Sequence, residues 1–164
     1  MRSEFLAKLG RYLADSGLSR VHADAVEPTA RAALAALAGV PHYEQIWAGD
    51  LRLSVQVIAI ASGERVQGAD FARRAQLLRQ RAVSLSDRVA GEVQVLQLVL
   101  YDRPVSVHER ELVLSTARVA PWWPLARGRV VTWIAALSEP ALYTTRFRGW
   151  PDELSADQLR ALIA

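Results

Sequence analysis

Residues 51–101 place the tightest constraint on how this chain can fold. An apolar run, LRLSVQVIAIA, leads into a glycine-bounded loop, an arginine-studded stretch and a second apolar run, VQVLQLVLY, which ends at Tyr101. A strand, helix, strand unit of this kind normally closes by a right-handed crossover, which lays both strands parallel in one sheet with the helix on a face. In the first run Leu51, Leu53, Val55 and Val57 alternate with Arg52, Ser54 and Gln56, whereas the later VIAIA is apolar at every position. That strand is expected to enter half-exposed and to finish covered on both faces. Between the runs, Phe71, Ala75, Leu78, Ala82, Leu85 and Val89 recur at spacings of three and four, which predicts an amphipathic helix over about 69–89.

Local signals divide the rest of the chain. Ser3 is the expected N-cap of a first helix that carries Phe5, Leu6, Leu9, Tyr12 and Leu13 on one stripe and stops at Asp15, Ser16 and Gly17. Asp24 and Glu27 fit a capping box for a second helix, with Pro28 in its first turn and Gly39 and Pro41 at its end. The body of that helix, ARAALAALA, is small enough for a sheet or a second subunit to approach closely. Residues 42–48 read as a short strand that Gly49 and Asp50 turn into the first core strand as a hairpin. Beyond Tyr101, Asp102, Arg103 and Pro104 make a turn, and Ser106 with Glu109 form a capping box for a helix over about 107–117. The PWWP stretch is too proline-rich to be regular. Gly128 then opens a strand, RVVTWIAAL, which Ser138, Glu139 and Pro140 turn into a further strand, ALYTTRF. After the Gly149, Trp150, Pro151 loop, Ser155 and Gln158 cap a last helix that packs through Leu159, Leu162 and Ile163.

These elements predict a single α/β (or α+β) domain over 1–164, with a mixed central sheet around the βαβ unit and flanking helices. It comprises an N-terminal helical pair over 1–40, an α/β core over 42–148 and a C-terminal helix over 155–164, and from residue 51 onward the order is βαβαββα, preceded by the two N-terminal helices. The order from residue 51 onward resembles that of thioredoxin-like domains, whose redox cysteine pair is absent here. The order helix, hairpin, helix, strand over 24–101 resembles the core of the restriction-endonuclease-like fold. The metal-binding Asp and Glu-x-Lys signature of that fold is missing, since the one lysine, Lys8, lies outside the core. Both resemblances concern the fold, and a fold does not carry a function.

Composition bounds the chemistry. The absence of cysteine removes disulfides, thiolate metal sites and a cysteine nucleophile. No apolar run approaches the roughly 20 residues needed to span a bilayer, and the polar N-terminus lacks the apolar core of a signal peptide. A soluble, cytoplasmic protein is the expectation. The net charge of +3 comes from 20 basic groups offset by 17 carboxylates, so the overall field is weak. All of the basic groups but Lys8 are arginine, spread along the chain, which reads first as a composition bias.

Gly63 and Gly68 have the spacing that opens a phosphate-binding loop, but Ala69 and Asp70 stand where Lys and Ser or Thr are required. Asp70 would bring a carboxylate to the helix N-terminus, where it repels phosphate, so GERVQG reads as a turn and cap. Asp102 follows the second core strand directly, at the strand ends where ligands of open sheets bind, with Arg103 and His108 close by. If they converged, Asp102 and His108 would be the catalytic candidates; ordinary turn chemistry is the competing reading. His22 and His42 have no partner at metal-ligand spacing, so no metal and no cofactor are expected. Arg74, Arg81 and Arg88, seven apart, form either an anion-binding rail or a solvated helix edge, and the solvated edge is preferred. Trp122 and Trp123, flanked by Arg118 and Arg127, suit an interface anchor or plain packing, with base stacking behind both. The leading expectation is therefore a noncatalytic module that binds a protein partner or itself, without membrane insertion. An arginine- and tryptophan-based nucleic-acid binder is the alternative, and a degenerate nuclease-like or other enzyme centred on Asp102 comes third.

Overall fold

The computed structural model describes residues 1–40, 42–51, 54–66, 68–86, 92–111, 128–144 and 155–164, with the side chains of 51, 68–72 and 75 excepted. Ten labelled elements run in the order α1 (Arg2–Asp15), β1 (Ser19–Arg20), α2 (Pro28–Leu37), β2 (Tyr43–Leu51), β3 (Ser54–Ser62), α3 (Gly68–Ser86), β4 (Glu92–Tyr101), β5 (Arg129–Ala136), β6 (Ala141–Tyr143) and α5 (Ala156–Ile163). A helical stretch over 107–111, between β4 and β5, is α4.

The six strands form one mixed sheet in sequence order, β1 through β6. β3, β4 and β5 are parallel, and antiparallel pairs flank them on both sides. The βαβ unit therefore forms as its periodicity predicts, with α3 crossing between β3 and β4. At its far end Ser86 Oγ donates to the carbonyl of Ala82 and accepts from the amide of Val93, which ties the helix to the start of β4.

Both faces of the sheet are covered, which is why its central strands read as nearly unbroken apolar runs. On one face α1 and α5 supply Phe5, Leu9, Leu13 and Leu159 against Ile58, Ile60, Leu96, Leu98 and Trp133. On the other, α2 and α3 supply Ala33, Ala36, Leu78 and Ala82 against Val57, Ala59, Val93 and Val95. The two N-terminal helices, adjacent in sequence, thus lie on opposite sides of the sheet. The small residues of α2 let it sit close to α3 and β2.

Three local expectations shift. The hairpin closes at the pair Leu51 and Ser54, so β2 continues through Gly49 and Asp50 and the core strand starts later than residue 51. Gly49 instead serves close packing, since a Cβ there would lie 2.8 Å from the carbonyl oxygen of Gly17. Neither N-terminal helix uses the predicted side-chain cap: α1 starts after Met1, with Ser3 inside it, and Glu27 is the N-cap of α2 without a side-chain bond. Pro28 takes the first helical position of α2, where its missing N–H costs nothing. The Ser155 and Gln158 box forms as expected. No helix among the described residues is long and apolar enough to cross a membrane.

Candidate functional site

The register determines which chemical groups meet. Ser62 pairs with Leu100, and Tyr101 pairs with Ala136, so the parallel strands end together along one rim. β2 runs the other way, with Tyr43 opposite Ala61, and its first residues therefore reach the same rim. The chain that follows β3, the turn after β4 and the N-terminus of α1 all gather there.

At this rim Arg2 is the hub. Its Nη2 donates to both carboxylate oxygens of Glu44 at 2.9 Å, and its Nη1 donates to Asp102 at 3.0 Å. Glu64 lies 3.9 Å from Nη1. Burial works to lower the Arg2 pKa, but Glu44 and then Asp102 outweigh it and raise the value. Glu64 feels the converse balance: burial raises its carboxyl, and the Ser62 hydroxyl, its own and the Asp102 backbone amides and the charge of Arg2 pull it below the usual value. Asp102 is thus committed to an ion pair, and Arg103 turns instead to Glu109 at 2.6 Å. His108 is exposed on α4. No hydrogen bond or ion pair joins any two of Asp102, Arg103 and His108 among the described residues, so the acid–base trio does not assemble. Nor does any group of three or more His, Asp or Glu side chains stand ready to hold a metal ion among those residues.

The glycine loop after β3 is a turn, as its sequence reads. The amides of Arg65 and Val66 both donate to the carbonyl of Ser62. Gly63 lies flat on the Tyr101 ring, where a Cβ would sit 2.5 Å from three ring carbons. The Asp70 side chain is outside the described set.

Arg74 corrects the expectation of a solvated helix edge, because it is only 6% exposed. Its Nε donates to Gln97 Oε1 at 3.1 Å, and its Cζ stands 4.9 Å from the centroid of the Tyr43 ring. Gln97 also accepts from the Tyr43 hydroxyl at 3.1 Å and donates to Thr132 Oγ1 at 3.3 Å. Burial pushes the Tyr43 phenol up to about 12, against the opposing charge of Arg74. The tyrosine is therefore neutral at physiological pH.

Arg74 also lines a recess of about 260 Å³ together with Gly39, Val40, His42, Arg65, Val66, Arg73 and Leu77. Arg65, Arg73 and His42 are exposed at it, and no carboxylate occurs in its described lining. Neither Arg65 nor Arg73 forms an ion pair among the described residues. Arg81 adjoins the recess: its Nη2 would lie 3.5 Å from a Cβ at Gly39. A larger groove of about 570 Å³ beside β1 carries Arg20 and His22 against Asp24, Glu27 and Asp50, and Thr29 donates to Asp50 within it. With both signs of charge present, that groove selects for neither, and the smaller recess is the better candidate despite its size.

Of the residues singled out by sequence, Arg74 and Arg81 come together at the recess, and Asp102 and His108 stay apart at the rim. Arg88, Arg118, Trp122, Trp123 and Arg127 lie outside the described residues. Arg65 and Arg73 were not singled out by sequence, and His42 was considered there only as a metal ligand. Arg65 lies in the loop rejected as a phosphate cradle and Arg73 in the helix that follows it, and a strand–loop–helix unit brings its loop close to the first turns of its helix. His42 joins them only through the hairpin register. Comparison of the chain with protein-family models, with curated proteins and with solved structures gave no match.

Proposed function

We propose that the protein is a noncatalytic binding module that captures an acidic protein partner through the recess of His42, Arg65, Arg73 and Arg74. One observation carries the reading: three guanidiniums and an imidazole share a single concavity whose described lining has no carboxylate. Exposed guanidiniums such as Arg65 and Arg73, which form no ion pair among the described residues, repel one another, and an entering anion relieves that repulsion. The rim supports the same reading from the other side, since its carboxylates are occupied by Arg2 and Arg103 rather than poised for proton transfer. A fluorescently labelled polyglutamate peptide is the test. The double variant Arg65→Gln, Arg73→Gln is expected to bind it at least about tenfold more weakly, which is about 1.4 kcal/mol. Equal binding by both proteins removes the reading.

A second reading, an arginine-based nucleic-acid binder, is favoured by Arg81, which lengthens the cationic surface from the recess along α3. It predicts that log affinity for single-stranded or duplex probes falls linearly with log salt. A salt-insensitive signal, or none, removes it. Self-association through Trp122 and Trp123 is a separate expectation from the sequence. It is tested by sedimentation of the variant with both tryptophans changed to Ala, and unchanged sedimentation ends it.

A further inference from the structure

Resting on the reading above, we infer that the group received by the recess is a phosphomonoester, carried on a phosphorylated side chain of the protein partner. The floor and the mouth of the site are built differently. At the floor, Arg74 is nearly buried, and its guanidinium is oriented by Gln97 and faces Tyr43. Gln97 is held in turn by Tyr43 and Thr132, so groups from β2, β4 and β5 fix this charge before any ligand arrives. A charge fixed in this way lines the recess and loses little freedom when an oxyanion enters. At the mouth, Arg65 and Arg73 are exposed and form no ion pairs among the described residues, so both can close on the ligand.

Charge and size then select the ligand class. A carboxylate brings a single negative charge to the two exposed guanidiniums of Arg65 and Arg73, whereas a phosphomonoester brings about −1.5 to −2 near neutral pH together with three acceptor oxygens. The second matches the site more closely. A volume of about 260 Å³ holds the end of one phosphorylated side chain. It falls below the roughly 300–1,000 Å³ typical of sites for drug-sized ligands, which argues against a nucleotide.

The test uses the full chain and three labelled pentapeptides, Gly-Gly-X-Gly-Gly with X as phosphoserine, serine or glutamate, at one ionic strength, with inorganic phosphate as competitor. The phosphoserine peptide is expected to bind about tenfold or more tightly than the glutamate peptide, and inorganic phosphate is expected to displace it. The serine peptide is expected not to bind. Arg65→Gln with Arg73→Gln is expected to abolish the preference while thermal unfolding stays unchanged, which separates loss of the site from loss of the fold. Equal affinity for the phosphoserine and glutamate peptides overturns the phosphoryl assignment, and polyglutamate binding then still stands for the broader reading. If inorganic phosphate binds and the phosphopeptide does not, the site serves the free ion and the inference falls. Binding of none of these probes, polyglutamate included, overturns the inference and the reading on which it rests. A preference that survives the double variant places the site elsewhere.

Discussion

Both carboxylate oxygens of Glu109 are engaged by neighbouring structure. They accept from Arg103 and from both the amide and the hydroxyl of Ser106, and the Ser106 hydroxyl accepts the Glu109 amide in return. The bond from Arg103 is the main reason its carboxyl falls to about 2 from the ordinary 4.5, with burial opposing. Because the folded pKa lies below the unfolded one, this stabilisation is complete above about 4.5 and is lost as pH falls through about 2. Half of the Arg103 side chain is exposed, so water screens the pair and its worth is about 1 kcal/mol. Glu109→Gln is expected to lower stability by that amount at neutral pH, and the two proteins should converge only as pH falls below about 2 in denaturant titrations. Parallel curves across the window would show that the bond contributes nothing. Gly63 makes a different demand. Its φ is not positive, so what matters is the missing Cβ over Tyr101. Gly63→Ala is expected to cost about 1–3 kcal/mol, as overpacking does, and an unchanged unfolding midpoint would contradict that contact.

Among the elements, α3 was the easiest to read and the hardest to place. Its apolar spacing places its start within a residue, the expected end near 89 lies outside the described residues, and the stripe residues Leu78 and Ala82 are fully buried on the sheet. The arginine flank was legible only as a pattern, because a guanidinium at a helix edge is solvated or buried according to what lies beyond it, here Tyr43 and Gln97 from strands distant in sequence. β5 starts by touching the back of this helix. Gly128 has φ +96, and a Cβ there would lie 2.6 Å from the backbone nitrogen of Val83. Both the backbone conformation and the contact penalise a side chain, so Gly128→Ala is expected to destabilise by about 2–4 kcal/mol in chemical denaturation. A smaller loss than that of Gly63→Ala would mean that the helix yields. The hairpin shows the opposite limit of sequence reading. Gly49 and Asp50 look like a turn, yet the strand passes through them because Gly49 is needed where the chain after α1 crosses β2.

On the scale of the whole molecule, the rim where the parallel strands end is bound together by one residue from the opposite end of the chain order. Arg2 joins α1 to β2 and to the turn after β4. Arg2→Ala is expected to lower stability by about 1 kcal/mol. Arg2→Lys should recover less than half of it, since a single ammonium does not span Glu44 and Asp102 as a fork does. Full recovery with lysine would show that charge alone suffices. Asp102 was correctly placed at this rim by its position after a core strand, but its partner was not foreseeable, because nothing local links residue 2 to residue 102.

The division between sequence and structure follows from the range of the forces involved. Hydrophobic period and capping boxes act within a turn or two, so the βαβ unit, the last helix and the Ser106 and Glu109 cap are present in the linear order of residues. The assignment of α1 and α2 to opposite faces, the ion pairs of Arg2, and the meeting of His42 with Arg65, Arg73 and Arg74 depend on strand register and on the depth to which a long side chain is enclosed. Those are properties of packed neighbours far apart in sequence, and only the tertiary structure decided them.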